Sequence, residues 1–123
     1  MSRRPAVMVV DDEPLILKIV ASLLAPEHDV TCEPDAEAAL ARIRGGQRFD
    51  AILCDLMMPH LSGMDLHAAL LEIAPDQAKV MVFVTGGAFT ARGREFLDRV
   101  PNPTIEKPFN SAGLLSSIRQ VVG

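Results

Sequence analysis

Three stretches of this chain are apolar at almost every position: "AVMVV" at 6–10, "AILC" at 51–54 and "KVMVFV" at 79–84. A strand with one wet face alternates apolar and polar residues. A strand that is apolar throughout has to be covered on both faces, as in a parallel sheet flanked by helices. Two further short runs, "DVTCE" at 29–33 and "PTIE" at 103–106, read as strands of more mixed character. Helical patterns lie between the five. Leu15, Ile16, Ile19, Val20, Leu23 and Leu24 form one stripe at a period near 3.6, with Pro14 in its first turn and Pro26 helping to stop it. Ala36, Ala39, Leu40 and Ile43 share a face over 35–44, which starts near Pro34 or Asp35 and runs out at Gly45-Gly46. Leu66, Ala69, Leu70 and Ile73 do the same in 64–74, as do Leu114, Leu115, Ile118, Val121 and Val122 in the last segment. The stretch 90–100 is thinner, with only Phe96, Leu97 and Val100 to bury.

Strand and helix thus alternate five times. Crossovers between parallel strands are right-handed, so the product is an α/β fold, a three-layer α/β/α sandwich. A length of 123 residues fits a single domain over 1–123, with 1–5 as an N-terminal tail whose Arg3 and Arg4 are solvated. Hydrophobic residues make up 49% and aromatic ones only 4%, with no Trp or Tyr, so the core has to be aliphatic. A net charge of -4 argues against nonspecific binding to nucleic acid or membrane. Neither a signal peptide nor an apolar run of membrane-spanning length occurs. Cys32 and Cys54 sit in strand-like runs and read as reduced core residues of a cytoplasmic protein. His28, His60 and His67 lack zinc-ligand spacing and read as surface or loop residues.

Sites in open α/β sheets lie beyond the C-terminal ends of the strands. Reading off those ends gives Asp11-Asp12, followed by Glu13, after the first strand; Asp55 after the third; Thr85 after the fourth; and Lys107-Pro108 after the fifth. Clustered carboxylates repel unless a cation intervenes. Magnesium takes a few carboxylate oxygens, keeps several waters and shares its shell with phosphate. In such a site Asp55 can act as a nucleophile, since carboxylates form acyl phosphates. Lys107 and Thr85 can balance and hydrogen-bond phosphoryl oxygens. Each residue also has a plainer reading: Asp11 or Asp12 as a helix cap, Thr85 and Asp55 as turn residues, Lys107 as a solvated loop. Those plain readings have to hold at four strand ends together.

These residues resemble the receiver domain of two-component response regulators over essentially the whole chain. The resemblance is carried by "VVDDE", by "DLMMPHLSGMD" against the pattern D-x-x-M-P-x-x-x-G-x-[DE], by "VTGG" and by "KPF", in order and at matching spacing. It implies a flavodoxin-like fold with strand order 2-1-3-4-5. It also implies that Asp55 accepts a phosphoryl group from a histidine kinase or phosphotransfer protein. Asp12 and Asp55 would ligate Mg²⁺ directly, Asp11 through a water, and Met57 through its backbone carbonyl. Thr85 would swing toward the phosphate, Lys107 would ion-pair with it, Pro59 and Gly63 would shape the loop, and Pro108 would fix the lysine's loop, often through a cis bond. The side chains of Met57 and Met58 read as packing.

Two departures stand out. Thr104 occupies the position, three before the lysine, where many receivers carry Tyr or Phe, so a switch built on that ring is not expected here; Phe89 or Phe96 are the available substitutes. Gly86 stands where alanine is common, which frees that loop. The segment 85–109 also looks like receivers at the ends of hybrid histidine kinases. With Gly123 following the last helix, no DNA-binding output domain is expected, and the protein would be a monomer or weak dimer. Two rival readings are weaker. A phosphatase resembling haloacid dehalogenases needs an acid two residues after the nucleophile, where Met57 stands. A phosphorylation-independent pseudo-receiver would have no use for the intact set Asp12, Asp55, Thr85 and Lys107.

Overall fold

The computed structural model describes residues 4–86 and 90–122. Five strands, β1 (Ala6–Val10), β2 (Asp29–Glu33), β3 (Ala51–Asp55), β4 (Met81–Thr85) and β5 (Thr104–Glu106), form one parallel sheet in the order β2-β1-β3-β4-β5. Helices α1 (Pro14–Leu24), α2 (Ala36–Arg44), α3 (Gly63–Ile73), α4 (Pro75–Ala78), α5 (Ala91–Arg99) and α6 (Ser111–Val121) connect them. Of the three inner strands, β3 and β4 are buried at every residue and β1 at every residue but Ala6, as their continuous apolarity requires. Strand alternation sorts the sheet's side chains between two cores. Met8, Val10, Ile52, Cys54, Met81 and Phe83 face α2, α3 and α5; Val7, Val9, Leu53, Val82 and Val84 face α1 and α6. Each such large aliphatic side chain contributes roughly 1.5–3 kcal/mol relative to exposure.

The helix starts follow local chemistry. Asp35 caps α2, its Oδ1 accepting the Ala38 N–H at 2.7 Å. Ser62 and Asp65 cap α3 reciprocally, each side chain accepting from the other's backbone N–H. Thr90 caps α5 and Asn110 caps α6. The thinly patterned segment 90–100 is indeed a helix, held by the buried Gly93 and Phe96. The sequence pattern assigns nothing to 75–78, where Pro75 opens the one-turn α4; the strand expected over 79–84 starts only at Met81. The Gln77 side chain ties that turn to the entrance of β3, accepting from Phe49 N–H and donating to Phe49 O.

Four expectations need correction. The α1 stripe is wider than the core it meets: Val20 and Leu24 are buried, whereas Leu15, Ile19 and Leu23 are 65%, 43% and 37% exposed. Cys32 is exposed because β2 is an edge strand; only Cys54 is a core thiol. His67 is buried, not a surface residue, because α3 turns it onto the sheet face beside Phe83 and Phe96. Met57 is 41% exposed, so packing accounts for Met58 alone. No helix among the described residues is long and apolar enough to cross a membrane.

Candidate functional site

The C-terminal ends of β1, β3, β4 and β5 meet at one edge of the sheet. Asp11 follows β1 directly and is buried; Asp12 and Glu13 follow it and are exposed. The Asp11 Oδ1 accepts the Glu13 N–H at 2.9 Å, which folds the loop back on itself before α1. Neither aspartate caps that helix: Glu13 is the N-cap residue and makes no side-chain cap bond. Asp55 ends β3, buried at 7% exposure, and its Oδ1 accepts the Met57 N–H at 3.1 Å.

Lys107 reaches into this group from β5. Its Nζ lies 3.1 Å from Asp11 Oδ2, 3.3 Å from Asp55 Oδ2 and 3.5 Å from Glu13 Oε1. Its backbone N–H donates to the Thr85 carbonyl at 2.7 Å, and the Lys107–Pro108 peptide is cis. One ammonium among four carboxylates leaves the cluster strongly negative. The electrostatics follow. Burial holds the Asp55 carboxyl above its ordinary range, with Asp11 adding to the shift against the pull of Lys107 and the Met57 N–H. Lys107 pays desolvation yet stays above its ordinary range, through its hydrogen bond to Asp11 and the charges of Asp55 and Asp11. It is a firmly charged ammonium.

Asp11, Asp12, Glu13 and Asp55 each offer a carboxylate oxygen, all within 4.8 Å of one another. That donor set is hard, oxygen-only and open on the side of the exposed Asp12 and Glu13, which suits Mg²⁺. Glu13 belongs to this group, as its place at the end of the first strand indicates, although the ligand set implied by the resemblance includes only the aspartates and the Met57 carbonyl. Thr85 is 1% exposed, and its Oγ1 has no hydrogen-bond partner among the described residues. A buried hydroxyl left unpaired costs about 1–3 kcal/mol. Beyond it, Gly86 is exposed, while Gly87 and the candidate ring Phe89 lie outside the described residues.

The loop after Asp55 is shaped by Gly63. A Cβ at Gly63 would stand 2.6 Å from the Asp55 carbonyl oxygen and 3.1 Å from Leu56 Cα. The need here is for space: α3 begins against the backbone of Asp55, with the Gly63 N–H donating to Leu56 O at 3.1 Å. Pro59 and His60 form the exposed crest, His60 in the left-handed region at φ 67°. The "SGMD" capping box that seats α3 was legible in the sequence as a polar residue followed three positions later by an acid.

Comparison with known proteins agrees with this arrangement. A family model described as "Response regulator receiver domain" matches residues 7–119. The heme response regulator HssR of Staphylococcus aureus is 33% identical over 116 residues, covering 94% of this chain and 50% of HssR. The chain therefore spans about half the length of the curated relatives it matches. A CheY-like receiver domain protein from Methanospirillum hungatei superposes with a TM-score of 0.83 at 28% identity, covering 96% of this chain and 93% of that one. The receiver domain of the sensor histidine kinase PA1611 from Pseudomonas aeruginosa, solved with a magnesium ion in its active-site cleft, shares the fold at 24% identity. Its TM-score is 0.83, with 98% and 99% of the two chains covered. Strand order, acidic cluster and family model converge: the chain belongs to the response regulator receiver domain family.

Proposed function

We propose that this chain is the phosphoacceptor of a two-component phosphorelay. The observation that carries the reading is a buried carboxylate, Asp55, paired with a charged lysine within an open acidic cluster, with Thr85 and its buried hydroxyl, unpartnered among the described residues, at the end of the adjacent strand. An oxygen of Asp55 attacks the phosphorus of a phosphohistidine. The new O–P bond makes an acyl phosphate as the P–N bond breaks and imidazole leaves. The Lys107 ammonium, already within 3.3 Å of the Asp55 carboxylate, pairs with a phosphoryl oxygen, and the Thr85 hydroxyl donates to another. Asp12 and Asp55 would hold Mg²⁺ directly, Asp11 through water and Met57 through its carbonyl. The metal, when bound, neutralises charge developing on the transferred group.

The donor is a histidine kinase or phosphotransfer protein. Along α1, the helix that follows the acidic loop, Leu15, Ile19 and Leu23 are exposed and offer the donor an apolar seat. The protein assists its own phosphorylation and carries no separate catalytic domain within 1–123; as a monomer or weak dimer it works in the cytoplasm, in keeping with free Cys32 and Cys54. Phosphorylation shifts the populations of two conformations that differ in surface.

Incubation with a small acyl or amido phosphate and Mg²⁺, read by intact-protein mass spectrometry, tests this. One phosphoryl group is expected, absent in Asp55→Asn and absent after chelation of the metal. No adduct at saturating donor and metal refutes the reading.

A further inference from the structure

Phe83, Phe96 and His67 meet edge to face. Ring centroids are 5.0 Å apart for Phe83–Phe96, 5.3 Å for His67–Phe96 and 5.8 Å for His67–Phe83, with interplanar angles of 83°, 85° and 60°. Every ring touches the other two, and each comes from a different element: β4, α5 and α3. Mutual edge-to-face packing of this kind is directional, so one ring cannot move without displacing its partners. Arg99, one turn on from Phe96, lies 5.7 Å over the Phe96 ring.

Phe83 is two residues before Thr85 on the same strand. By strand alternation it shares Thr85's side of the sheet, the side covered by α3 and α5. The Thr85 hydroxyl has no partner among the described residues. Phe83 is also paired across the ladder with Thr104, which is exposed and brings no ring. Meanwhile α5 is thinly anchored: Gly93 and Phe96 are its only buried residues. Whatever moves Phe96 therefore changes how the whole helix is seated, and thinly anchored elements are the ones that shift at low cost.

We propose that the Phe83–Phe96–His67 triad is the positioning device that passes a change at Thr85 to α5 and α3, in place of a ring on β5. This rests on the phosphoacceptor reading above. When the Thr85 hydroxyl turns to a phosphoryl oxygen it withdraws volume from the space beside Phe83. Close-packed rings answer such a change by a discrete rearrangement, which moves the surface between α3 and α5.

The test uses the phosphoryl analogue beryllofluoride with Mg²⁺ on the full chain, followed by amide and imidazole NMR. In the wild type, shifts are expected at Asp55 and Lys107, at the His67 ring protons and along Arg92–Leu97. In Phe96→Leu the shifts at Asp55 and Lys107 persist while those along α5 and at His67 are lost. His67→Leu loses them too, whereas His67→Phe, which keeps a ring, retains them on α5. Site shifts with a silent His67 in the wild type, or α5 shifts unchanged in Phe96→Leu, overturn the relay and leave phosphoacceptance standing. Should Phe96→Leu not fold, the wild-type His67 signals and the His67 pair decide alone. Silence at Asp55 and Lys107 themselves overturns the phosphoacceptor reading and the relay with it.

Discussion

Replacing Gly63 with alanine adds one methyl group at the place where helix and acceptor strand touch. Its Cβ would sit 2.6 Å from the Asp55 carbonyl oxygen, 3.1 Å from Leu56 Cα and 3.3 Å from the Asp55 carbonyl carbon. All three are backbone atoms at the end of a fully buried strand, so no side-chain rotation relieves the clash. Either α3 lifts or Asp55 moves, by several tenths of an ångström. Overpacking of this kind costs about 1–3 kcal/mol. For a chain of this size that is a fall of roughly 4–12 °C in Tm. The displaced carboxylate loses alignment with Lys107 and the neighbouring acids; if a misplacement of about 1 Å costs a hundredfold in rate, half of that costs roughly tenfold. Thermal unfolding and phosphorylation by a small donor measure the two effects. Gly86→Ala is the control: its Cβ meets nothing within 4 Å among the described residues, and its backbone lies outside the left-handed region. It should match or slightly exceed the wild type in Tm. A Gly63→Ala protein with wild-type Tm and wild-type phosphorylation would refute the claim that this contact fixes Asp55.

Other consequences are equally direct. Thr85→Val replaces an unpaired buried hydroxyl with a methyl group and should raise stability by roughly 1 kcal/mol in denaturant unfolding; a loss would mean that the hydroxyl is paired in solution. In metal-free protein the folded-state pKa of Asp55 lies above its unfolded value, so the native state binds more protons across that window. The corresponding stability is present at low pH and lost as pH rises through the folded value. Asp55→Asn should therefore unfold at higher denaturant than the wild type at neutral pH, with the gap closing on acidification. His67 has the opposite sign: burial, with Arg99 nearby, depresses its pKa, so stability is lost as pH falls below about 6.5, and His67→Phe should flatten that slope. Mg²⁺ at a hundredfold excess over its Kd should add about 2.7 kcal/mol of stability, and Asp12→Ala should abolish the gain in a calorimetric titration.

The sheet was legible because burial on both faces leaves a mark in the sequence: "AILC" and "KVMVFV" have no polar alternation to explain away. The four strand-end clusters were legible because a parallel sheet brings its C-terminal ends together, whatever loops separate them in sequence. Other features depend on which neighbour a side chain finds. Leu15 and Ile19 carry the same periodic signal as Val20 and Leu24, yet the sheet is too narrow to cover them all. Cys32 reads like Cys54 until β2 is known to be an edge. His67 reads as polar until α3 sets it between two phenylalanine rings. Gly63 matched a motif, but the reason for it, a backbone oxygen 2.6 Å from where a Cβ would be, is a fact of three dimensions.

The central claim is that a phosphoryl group bonds to the Asp55 side chain and to no other. Borohydride reduces an acyl phosphate to the alcohol, leaving a permanent mark on the residue that carried it. Peptide mapping after treatment with phosphodonor, Mg²⁺ and borohydride should find that mark at residue 55 alone. A mark at Asp11, Asp12 or Glu13 instead, or an adduct that survives on a histidine, would contradict the account.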